Sequence, residues 1–347
     1  MRKLYTVVVV VGLFLSSIST VASQTTNSGN RPFLAGVNIF FTVHDYESRI
    51  DLLRKLVDLD VYLRDLNVNA VSLVWPIYTE GVAGNTVFPG PNTPSNESIY
   101  LISNYFTSQG YHVTWRPTID ETSILADGRT EWRGTIRPRN IDRWFSSYTS
   151  LLIDYANIAS RANVDVFTIA VELTSMHVYP TRWRHVIAAV REVYDGELTY
   201  ASNRGISTLM PWDALDFISV DAFFDLPVST DATVEEMVNA FAERRAELTE
   251  TAARFGLPLV FAEVGTTSQY GSFRRPWVWN HNTVVDQEAQ ALYYRANCMA
   301  WRDVLDGLYW WHLSLVPLAD PATDGGFSPQ GKLAEDEIKT CFQVVMN

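Results

Sequence analysis

Residues 141–172 have the sequence IDRWFSSYTSLLIDYANIASRANVDVFTIAVE, and this stretch decides the fold. Its first half repeats large apolar residues at helical spacing from Trp144 to Ile158, behind Asn140, a residue type that caps helix N-termini. After a short polar turn, Val166–Val171 is a run that is apolar except for Thr168, as is typical of a strand buried on both faces. A helix followed directly by a buried strand predicts a βαβ unit and a parallel sheet.

The same alternation continues along the chain in both directions. Each apolar run is followed by a helix or helical turn, and we predict eight strands: Phe33–Ile39, Ala70–Trp75, Tyr111–Arg116, Val166–Val171, Leu198–Ala201, Phe217–Val220, Leu259–Ala262 and Gly307–Trp311. This pattern predicts an α/β protein, a single-domain (β/α)8 TIM barrel over residues 32–347. The alternative is an open doubly wound sheet, but residues 36–41 contain no glycine-rich phosphate fingerprint. Thr233 and Glu236 have capping-box spacing and predict one long helix to Phe255.

The N-terminus predicts secretion. Arg2 and Lys3 precede an apolar run and then small residues, so residues 1–23 have the order of a signal peptide. Residues 24–31 would form a flexible leader. An uncleaved N-terminal anchor is the alternative. No later segment offers about 20 uninterrupted apolar residues, so we expect an extracellular protein with no membrane association after signal removal.

The charge limits the possible partners. The chain has 27 basic and 39 acidic residues, a net charge of −12, and no basic stripe. Nucleic acids and anionic membranes are therefore excluded on electrostatic grounds, whereas a neutral sugar is compatible. We expect a monomer. In a secreted chain Cys298 and Cys341 are predicted to pair and tie the last helix to its neighbour, with two buried thiols as the alternative.

Two catalytic classes lack their motifs. The six histidines are scattered without a ligand pair at helical spacing, and the cysteines lack the spacing of a metal site, so no metal is predicted. A Ser-His-Asp hydrolase of the α/β type would carry Gly-x-Ser-x-Gly, which does not occur.

Two glutamates stand out at strand ends. Glu172 and Glu263 each follow an apolar strand without a break. A carboxylate at such a position is costly unless it lies at the open mouth or has partners. The fourth and seventh predicted strands face each other across a barrel, so both side chains could meet in one cleft. Glycoside hydrolysis with retention of configuration typically uses such a carboxylate pair. The alternative is that each glutamate pairs with an arginine for structural reasons.

Aromatic residues support a sugar site. Pyranose rings have apolar C–H faces that pack on indole rings, and the chain has 11 tryptophans. Core packing is the alternative for each of them. On the last strand only one of Trp310 and Trp311 can point inward, and we favour Trp310. The candidates near loop ends are Trp75, Trp115, Trp132, Trp277, Trp279, Trp310 and Trp311.

Several stretches together resemble glycoside hydrolase family 113, in the clan of retaining barrels with glutamates on strands four and seven. They include Arg116-Pro117-Thr118-Ile119-Asp120, Glu131-Trp132-Arg133-Gly134, Phe261-Ala262-Glu263-Val264-Gly265 and Pro276-Trp277-x-Trp279. Much of the wider clan has Asn before the general acid/base. This chain has Val171 at that place, and the family likewise departs from Asn. Phe223 and Phe224 stand where relatives often have tyrosine, which bears on substrate preference.

The resemblance implies a retaining endo-β-1,4-mannanase that cuts mannan or glucomannan and needs no cofactor. It makes Glu172 the general acid/base and Glu263 the nucleophile of a double displacement. The alternatives are a related β-glycosidase acting on another glycan or on oligosaccharides, and a secreted carbohydrate-binding protein without catalysis. From the aromatics and the resemblance, the residues expected to line the sugar cleft are Trp75, Asp120, Trp132, Arg133, Asn203, Asp221, Trp279 and Trp310.

Overall fold

The computed structural model describes residues 32–128, 130–280 and 283–346; the predicted signal peptide and leader lie outside them. The strands are β1 Leu34–Phe40, β2 Ala70–Thr79, β3 Val87–Phe88, β4 His112–Ile119, β5 Val166–Val171, β6 Glu197–Asn203, β7 Ile218–Asp221, β8 Leu259–Val264 and β9 Gly307–Ser314. All except β3 run parallel in a closed ring of eight, in which β1 pairs with both β2 and β9. The short strand β3 pairs antiparallel with the end of β2. The predicted (β/α)8 barrel is thereby confirmed.

Helices surround the barrel. They are α1 Arg49–Asp65, α2 Asn96–Ser108, α3 Thr122–Leu125, α4 Ile141–Arg161, α5 Pro180–Arg191, α6 Val234–Ala240, α7 Ala242–Phe255, α8 Gln287–Trp301 and α9 Leu333–Val345. Asn140 caps α4 as predicted, because its side chain accepts from the Arg143 N–H over 3.0 Å. Among the described residues, none of the helices combines the length and apolar character that a membrane crossing requires.

The predicted long helix from Thr233 to Phe255 is two helices. The capping box of Thr233 and Glu236 begins α6 as expected. The helix is interrupted at Phe241, whose buried ring packs against Phe224 and Trp301. Phe241 keeps right-handed helical dihedrals (φ −80°, ψ −11°), so the two helices follow one another with a one-residue interruption whose ring packs on α8 and on the loop after β7.

Strand β2 is longer than predicted and contains Pro76. Successive residues of a strand direct their backbone groups to alternate sides, so Val74 and Pro76 face the same side of β2. Val74 is the last residue of β2 that pairs with β1. The N–H that Pro76 lacks would therefore point to a side without a partner strand, where proline is tolerated. The extension carries the chain beyond the barrel mouth.

The predicted disulfide is confirmed. Cys298 on α8 and Cys341 on α9 are bonded, with their Cα atoms 5.8 Å apart. The bond ties the last helix to its neighbour, as expected.

The barrel interior changes character along its axis. An apolar layer fills the amino-terminal end: Leu34, Ala70, Val166, Phe217, Val260 and Tyr309. Hydroxyl groups follow, since Thr199 donates to the carbonyl of Phe217 and lies 3.2 Å from the hydroxyl of Ser219. Above them, at the carboxyl ends of the strands, lie charged side chains. This is the end of a TIM barrel at which active sites form.

Candidate active site

Glu172 is held at the barrel mouth by backbone and side-chain contacts. It follows β5 directly and has a φ of 56°, in the left-handed region that glutamate seldom adopts. Its N–H donates to the carbonyl of Ala201 over 2.8 Å. Its carboxylate accepts from the Asn203 amide, at the end of β6, and from Arg133 Nη1 over 3.3 Å. Both predicted neighbours, Asn203 and Arg133, therefore contact this glutamate.

Arg133 reaches the site from the loop after β4. Its Nε donates to the carbonyl of Ile119 over 3.1 Å and lies 3.3 Å from the carboxylate of Glu121. Burial alone would lower the pKa of Arg133, but the charges of Glu121 and Glu172 outweigh burial and raise it. The guanidinium is thus a fixed positive charge beside Glu172.

Glu263 lies on β8 inside the barrel and shares a cation with Asp221. Arg116 on β4 donates through Nη2 to Glu263 Oε1 over 2.5 Å. The same nitrogen is 3.0 Å from Asp221 Oδ1 and 3.1 Å from Oδ2. Arg116 and Asp221 are completely buried, and Glu263 is nearly so. Three charged groups from three strands thus form one buried cluster at the strand ends.

Two carboxylates facing one cation cannot both be fully compensated. Burial raises the pKa of Glu263 well above its ordinary value, and the charge of Asp221 raises it further, while Arg116 opposes both effects. Burial likewise raises the pKa of Asp221 to about 7. The charge of Glu172 also raises the pKa of each, so the two halves of the site interact electrostatically.

The alternative that each glutamate pairs with an arginine for structural reasons therefore holds in part, since Glu172 contacts Arg133 and Glu263 contacts Arg116. The two ion pairs are not separate, however. The charges of Glu172 and of its partner Arg133 both affect the pKa of Glu263. The Glu172 side chain also remains 12% exposed at the mouth. Strongly perturbed carboxylates gathered at the catalytic end of a barrel are characteristic of active sites.

The prediction that Trp75 and Trp310 line the cleft is wrong. Trp75 packs edge-on against Trp115 in the layer between barrel and helices, with ring centroids 5.0 Å apart. Trp310 is 1% exposed and stacks on Tyr294 of α8, at 4.3 Å. Neither ring is accessible to a sugar.

The direction in which successive side chains of β9 point explains why the prediction for Trp310 was wrong. Tyr309 points into the barrel, where its hydroxyl lies 3.3 Å from that of Thr114. Side chains alternate along a strand, so Trp310 points outward and Trp311 shares the inward side with Tyr309. Trp311 is half-buried at the mouth. It is therefore the tryptophan of this strand that faces the site.

The remaining predicted residues lie in the loops at this end. Trp132 is half-buried beside Arg133, and its ring packs so closely over Gly134 that a Cβ there would come within 2.3 Å. Asp120 accepts from the Thr122 N–H over 2.7 Å, and among the described contacts none joins it to either glutamate. Trp279 is exposed on the loop after β8.

Arg116 was not among the residues predicted for the cleft. The signal in the sequence is a charge inside the run Val113–Ile119, which is otherwise apolar or weakly polar. Arginine tolerates this position because Asp221 and Glu263 meet it. Within the described residues, no group of three or more His, Cys, Asp or Glu side chains could hold a metal ion.

A parallel barrel with paired carboxylates at its catalytic end defines a glycosidase-like site. The chain belongs to Glycoside Hydrolase Family 113, whose model matches residues 58–332. It is therefore a member of a family of glycoside hydrolases. A comparison with curated proteins found no match.

Solved structures show the same fold. The GH113 β-mannanase AaManA from Alicyclobacillus acidocaldarius, in complex with ManMIm, is 27% identical, with a TM-score of 0.78 over 90% of this chain and 98% of its own. A second GH113 β-1,4-mannanase is 21% identical, with a TM-score of 0.78 over 90% and 99% of the two chains. An endo-β-1,4-mannanase from Thermotoga petrophila is 13% identical, with a TM-score of 0.58 over 92% and 78%. The last two are matches of fold alone.

Proposed function

We propose that the protein is a retaining endo-β-1,4-mannanase that hydrolyses mannan or glucomannan. The observation that carries the proposal is the placement of two glutamates at the carboxyl end of one barrel. Glu172 directly follows β5 and is bound by Asn203 and Arg133, and Glu263 lies on β8, three strands further round the ring, and is bound by Arg116. The family and the 27% identical β-mannanase support β-mannan as the substrate.

In the first step, Glu263 attacks the anomeric carbon while Glu172 donates its proton to the glycosidic oxygen. The bond from carbon to the leaving oxygen breaks as the bond to the Glu263 carboxylate forms. The departing chain leaves with the proton, and a glycosyl ester remains. Arg116 holds the Glu263 carboxylate in place for the attack.

In the second step, Glu172 accepts a proton from water, and the water oxygen attacks the anomeric carbon. The ester bond breaks, Glu263 becomes a carboxylate again, and the anomeric configuration is that of the substrate. The Asn203 amide and Arg133 orient the Glu172 carboxylate in both steps.

We also propose that the protein is secreted as a monomer after cleavage before Gln24. The Cys298–Cys341 bond supports secretion, because disulfides persist in oxidising extracellular environments. N-terminal sequencing of protein recovered from the culture medium tests the cleavage, and recovery with Met1 intact would contradict it. Size-exclusion chromatography with light scattering tests the monomer.

Product analysis on a polysaccharide panel tests the activity. β-Mannan, glucomannan, galactomannan, cellulose and xylan are incubated with the parent protein, Glu263→Ala and the surface control Glu250→Ala. Glu250 is exposed on α7 and pairs with Arg254. We expect short manno-oligosaccharides from the parent and the control but none from Glu263→Ala. Products from another glycan alone would replace the substrate, and no products at all would contradict the enzyme proposal.

A further inference from the structure

The loop after β8 presents Trp277 at its tip. In this loop the Val278 N–H donates to the carbonyl of Arg275 over 3.0 Å and closes a tight turn. Pro276 occupies the second position of the turn, which suits its fixed φ, and Trp277 occupies the third. The Trp277 residue is 43% exposed. An aromatic ring is thus displayed at the carboxyl end of the barrel rather than packed in the core.

The chain that follows Trp277 is braced by a buried side chain. Gln269 Nε2 donates to the carbonyl of Asn280 over 2.9 Å, and the Asn280 N–H donates back to Gln269 Oε1 over 3.2 Å. Gln269 is buried, so one partner of this pair of bonds is fixed in the core. The loop is therefore organised without a ligand, which reduces the entropy that binding would cost.

A chain of contacts joins Trp277 to Glu172. The Arg204 guanidinium lies 4.3 Å from the centre of the Trp277 ring. Arg204 Nε donates to Asn203 Oδ1 over 3.4 Å, and the Asn203 amide donates to Glu172. Arg204 itself has a φ of 48°, and its N–H donates to the carbonyl of Asp221 over 3.0 Å. A non-glycine residue held in this conformation next to a reactive group often serves function.

We propose that Trp277 and Arg204 form an acceptor site, which binds the sugar residue on the leaving-group side of Glu172. The inference rests on the proposed function and names a subsite within it. The general acid touches the oxygen of the departing sugar, so a binding surface linked to Glu172 through Asn203 lies beside that sugar.

The chemistry of the pair suits a pyranose. The guanidinium covers one face of the Trp277 ring, so the C–H face of the sugar packs on the other face. The Arg204 side chain is 40% exposed, with Nη1 3.7 Å from Asp225, so its remaining donors can meet sugar hydroxyls. The same site would take an acceptor sugar in place of water during the second step, and transfer would compete with hydrolysis there.

The test compares two substrates that differ in their leaving group. The leaving group of β-1,4-mannopentaose is a sugar. An aryl β-mannobioside places its sugars on the donor side, and its leaving group is a phenol. The ratio of kcat/KM for the first over the second is measured for the parent, Trp277→Ala and Trp277→Tyr. Tyr100→Ala removes an exposed aromatic ring on α2, outside the barrel mouth, and is the control.

We expect Trp277→Ala to lower this ratio by about tenfold or more, which is the loss of one stacked sugar in the transition state. Trp277→Tyr retains a ring and should recover most of the ratio, and Tyr100→Ala should match the parent. Transfer to added mannobiose should fall in Trp277→Ala. An unchanged ratio, whether from equal losses or from none, would overturn the acceptor site while leaving the mannanase proposal standing. A parent that cleaves neither substrate would remove both.

Discussion

Arg116 Nη2 lies 2.5 Å from Oε1 of Glu263, and both groups are buried inside the barrel. Asp221 shares the same nitrogen at 3.0 Å. The attacking carboxylate of the proposed mechanism therefore competes for its only contacting cation with a second carboxylate, among the contacts described. This competition makes the protonation of Glu263 depend on Asp221, and it gives the pH profile a structural cause.

Asp221→Asn should move the acid limb of the kcat/KM profile to lower pH. The charge of Asp221 raises the pKa of Glu263, and the amide removes that charge while keeping the size of the side chain. Glu263 must be ionised to attack, so the variant should stay active at a pH where the parent loses activity. We expect a shift of about one pH unit.

The measurement is kcat/KM on one soluble substrate over about pH 4–9. Asp142→Asn is the control, because Asp142 is an exposed carboxylate on α4 that pairs with Arg182. Its profile should match that of the parent. An acid limb that stays in place or moves upward in Asp221→Asn would contradict the assigned coupling.

His177 should make the fold sensitive to acid. It is buried, its Nε2 lies 2.7 Å from the Tyr200 hydroxyl, and burial lowers its pKa to about 4. The unfolded chain takes up the proton near the ordinary pKa of 6.5. The contribution of neutral His177 to the free energy of unfolding is thus fully present above about pH 6.5 and is lost as the pH falls to about 4. This contribution amounts to up to about 3 kcal/mol.

Urea unfolding of the parent and His177→Gln at several pH values tests this. Glutamine does not titrate, and its amide can still bond to the Tyr200 hydroxyl. The free energy of unfolding of the variant should fall less than that of the parent between pH 6.5 and 4. His312, whose pKa burial also lowers to about 4, is present in both proteins and cancels in the comparison. Parallel curves would rule out His177 as the source.

Trp310 and Trp311 should respond differently to alanine, although they are adjacent. Trp310→Ala removes a ring stacked in the core and should lower the free energy of unfolding by about 3–5 kcal/mol. Trp311→Ala should cost less than half of that but should lower kcat/KM, because the ring faces the mouth. Denaturant unfolding and steady-state kinetics on both variants measure the two effects. The opposite assignment of losses would restore Trp310 to the cleft.

Reduction of the disulfide should destabilise the fold. The bond joins positions 43 residues apart, and the loop-closure entropy of such a length corresponds to roughly 4 kcal/mol. The free energy of unfolding should therefore fall by up to that amount in a thiol reductant. The double variant Cys298→Ala and Cys341→Ala should be equally weakened and insensitive to the reductant. A parent with the same stability in both conditions would contradict this contribution.

The sequence predicts most of the barrel because each strand is a local pattern. A fully buried strand such as Val166–Val171 requires mostly apolar residues, whichever elements pack around it. The end of β2 was not predictable in this way, because Pro76 is acceptable only where β1 no longer pairs. Likewise, Phe241, at which the predicted long helix is interrupted, contacts Trp301, which follows it by 60 positions in the sequence and is close only in the folded chain.

In the candidate site, too, some residues can be recognised from local sequence and others only from tertiary contacts. Glu172 and Glu263 are visible in the sequence because a charge ends an apolar run. Alternation along β9 allows one tryptophan inside, but only the contact of Tyr309 with Thr114, across the barrel, decides which one. The importance of Arg116 also depends on tertiary structure, since Asp221 and Glu263 reach it from distant strands.

The activity of Glu263→Ala and Glu172→Ala on β-mannan and on an activated aryl β-mannoside tests the central claim most directly. We predict that Glu263→Ala loses activity on both substrates, by about ten-thousand-fold or more, while its melting temperature stays near that of the parent. Glu172→Ala should lose far more on mannan than on the aryl substrate, whose leaving group needs little protonation. Near-normal activity of Glu263→Ala, or equal losses on both substrates in Glu172→Ala, would contradict the two-glutamate mechanism.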